Sequence, residues 1–150
     1  MIPGAFLILL GVLGYVLAMP AVQVGPMTFD AHTLLFSSLF LISGYQALLF
    51  GQLIRIYARV VDLIPEAQGS VQLTPTFSLE KGLMFGVFCA LAGVVLLAWA
   101  VNVWRVAGFG ALDYASTMRL VVPGVTLASL GFQTVLWSFG MGVLLMGRVR

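Results

Sequence analysis

The chain has 150 residues, of which 61% are hydrophobic and only 8% are charged, and its mean hydropathy is +1.12. A single water-soluble core of this size cannot bury so much apolar side chain, so the composition indicates an integral membrane protein forming one domain, residues 1–150. The formal net charge of +2 comes from few residues that lie between the apolar runs. This excludes a basic surface that follows a nucleic-acid backbone.

Two apolar segments dominate the first third of the chain. The first covers residues 2–19, close to the length that crosses about 30 Å of hydrocarbon. It lacks the Lys or Arg of a secretory leader, so we expect a retained helix. Gly25-Pro26 predicts a turn, and Asp30 is placed to cap the second span, residues 32–54.

The second span is expected to continue as a cytoplasmic amphipathic extension that stops near Pro65, because polar residues recur there at spacings of three and four. Residues 67–76 are polar and irregular, which predicts a surface loop. The third span covers residues 81–103 and the fourth residues 120–146. Pro123 then falls in the first turn of the fourth span, where no kink is expected.

The distribution of Lys and Arg predicts the orientation. One side of the predicted bundle holds Arg55, Arg59, Lys81, Arg148 and Arg150, whereas the other holds Arg105 and Arg119. Because positive residues favour the cytoplasmic side, both termini are expected in the cytoplasm, and the bacterial inner membrane is the expected location.

Two similar groups of residues lie deep in apolar segments, Gly44-Tyr45-Gln46 and Gly131-Phe132-Gln133. An amide in hydrocarbon needs a hydrogen-bond partner, so we predict that Gln46 and Gln133 are polar fasteners between helices; the alternative is a polar pocket for a lipid headgroup or substrate. An aspartate precedes each of the two spans, which indicates two related helix hairpins in the same orientation. The glycines predicted to pack between helices are Gly44, Gly51, Gly82, Gly86 and Gly131.

Residues suited to catalysis are scarce. The sequence has no acidic metal-nucleotide motif, phosphate-binding glycine loop or nucleophile elbow, so we predict no catalytic, cofactor or metal site. His32 is interpreted as a capping or interface residue, and Cys89 as packing. The candidate lipid-phosphate contacts are Arg55, Arg59, Lys81 and Arg148, although the positive-inside bias alone also explains them.

Several short sequence segments, taken together, resemble the C-terminal membrane region of bacterial family 2 glycosyltransferases of the polyprenyl-phosphate type. They occur in the order Ile2-Pro3-Gly4, Phe29-Asp30-Ala31-His32, Gly44-Tyr45-Gln46, Leu79-Glu80-Lys81-Gly82, Gly108-Phe109-Gly110-Ala111-Leu112-Asp113, Thr117-Met118-Arg119, Gly131-Phe132-Gln133 and Ser138-Phe139. In that family a nucleotide-sugar domain precedes the helices and transfers a sugar to a polyprenyl phosphate. The chain shows none of that domain's motifs, so the resemblance transfers no catalytic residue.

The expected fold is therefore an all-α bundle of about four transmembrane helices. The expected function is a non-catalytic anchoring and assembly module that contacts membrane lipids and packs with its own copies or a partner protein. Two alternatives remain open at this point. One is the membrane subunit of a split lipid-linked sugar transferase, and the other is an accessory subunit of a respiratory or photosynthetic complex.

Overall fold

The computed structural model describes residues 2–20, 23–24, 27–61 and 79–146, and most of these residues are helical. The elements in chain order are α1 (Ile2–Ala18), β1 (Gln23–Val24), β2 (Met27–Thr28), α2 (Ala31–Val60), α3 (Leu79–Val106) and α4 (Tyr114–Met146). The two-residue strands pair antiparallel, with Gln23 opposite Thr28. The predicted all-α class is confirmed, while the expected turn at Gly25-Pro26 and loop 67–76 lie outside the described residues.

Three helices, α2, α3 and α4, are long and apolar enough to cross a membrane, and α1 is a shorter apolar helix. Large apolar side chains cover their outer surface; Phe88 is 70% exposed and Phe132 is 61% exposed. The buried core is correspondingly small and centres on Ala18, Leu34 and Val122. Such a surface is stable only in contact with lipid, so the chain is an integral membrane protein.

Each of two helix hairpins is closed by a direct backbone contact between glycines. In the α1–α2 hairpin, a Cβ atom on Gly44 would lie 2.7 Å from the carbonyl oxygen of Gly4. In the α3–α4 hairpin, a Cβ atom on Gly131 would lie 2.6 Å from the carbonyl oxygen of Gly86. Real Cβ atoms do not approach backbone oxygen this closely, so only glycine allows these helices to pack at this separation.

The two hairpins also share their register. Two helical turns further along α1, Gly11 packs against Ser37 and Leu41 of α2. Two helical turns further along α3, Gly93 packs against Gly124 and Ala128 of α4. The two glycines are seven residues apart in α1 and again in α3. Their partners are also seven residues apart, Ser37 and Gly44 in α2 and Gly124 and Gly131 in α4. The prediction of two related hairpins is therefore confirmed at the level of individual contacts.

The hairpins meet along α2 and α4, which run parallel. The order of contacts shows this direction: Ser38 bonds to Thr126, and further along both helices Tyr45 bonds to Thr134. Helices α1 and α3 pack antiparallel to these two. Near the end of the interface, the position of Gly140 faces the side chain of Leu53. The described part of α2 continues past the second predicted span to Val60, as expected for the helical extension.

The prediction for Pro123 is wrong. Helix α4 begins at Tyr114, six residues before the expected start, so Pro123 lies inside the helix. The earlier start has a local cause, because the backbone N–H of Ser116 donates to Asp113 Oδ2 at 2.9 Å and so caps the helix. Since proline has no N–H, the carbonyl of Arg119 lacks its partner four residues later in the helix.

Candidate functional site

A buried hydroxyl group joins three of the four helices. The Thr126 hydroxyl of α4 donates to the carbonyl of Val122 at 2.7 Å, which uses its single proton. It therefore accepts hydrogen bonds from Tyr15 Oη of α1 at 2.7 Å and from Ser38 Oγ of α2 at 2.8 Å. The three hydroxyls together form the central polar contact between the hairpins.

A second hydroxyl pair lies two turns further along the same interface. Tyr45 Oη of α2 and Thr134 Oγ1 of α4 are 2.7 Å apart, and Thr134 donates to the carbonyl of Leu130 at 2.7 Å. Ser138 in turn donates to the carbonyl of Thr134 at 2.9 Å. Interhelical hydrogen bonds in membranes average about 0.6 kcal/mol and reach about 1.7, so the two groups fix register more than they add stability.

The two glutamines are not joined to each other. Gln46 is exposed on α2, whereas Gln133 is half-buried on α4. The Oε1 atom of Gln133 is buried and, among the described residues, has no hydrogen-bond partner; the same holds for Trp137 Nε1 one turn later. The link between these regions of α2 and α4 is carried by the neighbours of the glutamines, Tyr45 and Thr134.

The glycines singled out from the sequence occupy different positions. Gly44, Gly86 and Gly131 lie at the backbone crossings of the hairpins. Gly82 is buried in the first turns of α3, and Gly51 is half-buried in α2. Sequence reasoning missed the hydroxyl residues that bond across the hairpins. A signal for them was present, because Thr126 and Thr134 are eight residues apart, which places them on one side of a helix.

Three of the four basic residues expected to contact lipid phosphate lie at one end of the bundle. Arg55 is exposed near the end of α2, and Arg59 follows one turn later in the same helix. Lys81 is exposed at the start of α3. Because α3 runs antiparallel to α4 while α2 runs parallel to it, Arg55 and Lys81 are at the same end. Arg148 lies outside the described residues.

At the opposite end, positive charges have partners within the bundle. Arg119 of α4 forms an ion pair with Asp30, directly before α2, at 3.4 Å. Arg105 donates to the side-chain oxygen of Asn102 at 2.9 Å. The backbone N–H and the side chain of Ser116, with a smaller contribution from Arg119, lower the pKa of Asp113. Arg119 and Arg105 at this end thus each have a polar partner.

An apolar groove of about 400 Å³ opens between the end of α3 and the start of α4, with Leu97, Trp104, Leu112 and Val121 among its lining residues. The indole N–H of Trp104 donates to the carbonyl of Gly110 at 3.2 Å, so this polar atom is already satisfied. Within the described ranges, no group of three His, Cys, Asp or Glu side chains comes together to hold a metal ion. The arrangement thus offers packing and lipid-contact surfaces.

Comparison with known proteins identifies the family. Residues 52–145 match the model of the glycosyltransferase family 2 C-terminal transmembrane region. The chain belongs to this family. It is also 33% identical over 145 residues to the low-salt glycan biosynthesis hexosyltransferase Agl6 of Haloferax volcanii, a match covering 95% of this chain.

The chain spans only 33% of the length of that hexosyltransferase. No solved structure matches the chain. The resemblance to family 2 glycosyltransferases predicted from the sequence is confirmed. What the chain shares with these proteins is the membrane region.

Proposed function

We propose that this chain is the non-catalytic membrane module of a lipid-linked sugar transferase. It anchors a nucleotide-sugar transferase domain at the cytoplasmic face of the membrane, whether that domain lies on the same polypeptide or on a partner. The observation that carries the proposal is the 33% identity to a hexosyltransferase over 95% of the chain. This match favours a sugar-transfer system over a respiratory or photosynthetic complex.

The architecture supports an anchoring role. Glycine crossings close each hairpin, and interhelical hydroxyl hydrogen bonds join the two hairpins. The end that carries Arg55 and Arg59 faces the cytoplasm in this proposal, because positive residues favour that side. An anchored domain would then be held where nucleotide sugars are found.

Affinity purification from native membranes tests the anchoring role. The tagged chain is extracted in lipid nanodiscs, and its stoichiometric partners are identified by mass spectrometry. We expect a family 2 nucleotide-sugar transferase domain, either on the same polypeptide or as a separate subunit. A stoichiometric complex without any such domain would contradict the proposal.

The basic end supports a second part of the proposal, contact with a lipid phosphate. Arg55 is exposed near the end of α2, and its neighbour one turn later is Arg59. Each basic residue near an anionic surface contributes about 1 kcal/mol, so Arg55→Ala with Arg59→Ala should lower binding of phosphate-bearing lipid by roughly thirtyfold. The matched control is Arg105→Ala at the other end. Unchanged lipid copurification in the double variant would refute this contact and leave the anchoring role standing.

A further inference from the structure

One strongly polar side chain faces outward in the middle of α2. Gln46 is the sixteenth residue of this 30-residue helix, about 22 Å from either end at 1.5 Å per residue, and it is exposed. It has no hydrogen-bond partner among the described residues. The exposed side chains in the central turns of α3 and α4 are, by contrast, apolar or Trp.

An unpaired amide at this depth is unfavourable. The hydrocarbon offers no water, and each unsatisfied polar group costs free energy until a partner is found. Within the expected span, residues 32–54, Gln46 is eight residues or about 12 Å from the nearer end, which is farther than a glutamine side chain reaches. Gln46 therefore needs a partner from outside the described residues.

The surface around Gln46 is free of the other described helices. Helix α1 packs on the side of α2 that carries Gly44, and α4 packs on the side that carries Tyr45. This side of α2 carries Leu35, Leu39, Gln46 and Phe50, which follow one another at spacings of four, seven and four residues and so form one stripe. The three apolar members of the stripe are exposed.

We propose that this stripe of α2 is the contact surface between two copies of the chain. A carboxamide both donates and accepts hydrogen bonds, so two Gln46 side chains related by a two-fold axis can each donate to the other's oxygen. A charged side chain would repel its own copy at such an axis, whereas an amide is complementary to itself. This inference goes beyond the anchoring role and does not depend on it.

Cysteine cross-linking in liposomes tests the surface. In a Cys89→Ala background, Leu39→Cys places a thiol on the stripe at a position that is 55% exposed, and Leu91→Cys places one on α3 at a position that is 60% exposed. The chain is diluted with lipid to suppress random collisions, and disulfide-linked dimers are measured after mild oxidation. We expect Leu39→Cys to form dimers much faster than Leu91→Cys.

Adding Gln46→Leu tests the amide itself. This change puts an apolar side chain on a lipid-facing position, so the helix should fold normally, which circular dichroism checks. Each lost interhelical hydrogen bond lowers the association constant about threefold. Because Gln46→Leu removes both hydrogen bonds of the Gln46 pair, cross-linking through Leu39→Cys should fall by roughly tenfold. Equal cross-linking at the two thiol positions, or no effect of Gln46→Leu, would overturn the proposal. A heterologous helix or a lipid as the true occupant would give the first of these results.

Discussion

The contact between α3 and α4 at Gly131 leads to a quantitative prediction for Gly131→Ala. The added Cβ atom would lie 2.6 Å from the carbonyl oxygen of Gly86 and would also overlap the backbone nitrogen of Ala90. Both atoms belong to the backbone of α3, so a side-chain rotation cannot relieve the overlap. Overpacking of this kind costs about 3 kcal/mol at the upper end of its range, and replacing glycine inside a helix recovers about 1. We expect a net loss of about 2 kcal/mol.

Gly140→Ala is the matched control for this experiment. It makes the same change in the same helix, but the new Cβ atom would meet only Leu53 Cδ1, at an ordinary 3.6 Å. The assay is unfolding by SDS in mixed micelles, followed by circular dichroism and tryptophan fluorescence. If Gly131→Ala is no less stable than Gly140→Ala, the backbones of α3 and α4 do not touch at this crossing.

The remaining predictions concern a hydroxyl pair and a helix cap. Tyr45→Phe removes the bond to Thr134 and should lower the unfolding free energy by about 0.6–1.7 kcal/mol, whereas the exposed Tyr57→Phe should change it little; equal effects would contradict a role for the bond. Asp113 has a lowered pKa in the folded state, so its stabilising contribution is present above its unfolded pKa of about 4 and is lost as the pH falls through the folded value. Asp113→Asn keeps a capping group for Ser116 but does not titrate, so its melting temperature should fall less than that of the wild type between about pH 5 and about pH 2.

Long-range features of the fold followed from two features of the sequence. Apolar runs of membrane-spanning length predicted the long helices, and the repeated glycine-aromatic-glutamine group predicted two related hairpins. The start of α4 was harder to predict, because Tyr114–Arg119 contains polar residues that precede the apolar run. The cap that Asp113 and Ser116 form outweighs the effect of these polar residues, and Pro123 consequently lies inside the helix.

The polar contacts were harder to predict because they depend on which way each helix faces. The sequence shows that residue 46 carries an amide, but not which side of α2 faces α4. Because Tyr45 and Gln46 point in different directions around the helix axis, the rotation of α2 about that axis decides which of them faces α4. That rotation is set by the packing of Gly44 against Gly4 on the neighbouring side of α2. Tyr45 consequently bonds to Thr134, and Gln46 faces outward. Tertiary packing, which a single sequence does not display, determined the outcome.

The anchoring role is tested most directly by measuring where sugar transfer takes place when the chain is absent. Membranes from cells with this membrane region, and from cells in which only this region is deleted, are supplied with labelled nucleotide sugar. Both the sugar on polyprenyl phosphate and the amount of membrane-bound transferase domain are measured. The account predicts that loss of the chain releases the domain from the membrane and abolishes transfer to lipid. A transferase domain that stays membrane-bound, with transfer unchanged, would contradict it.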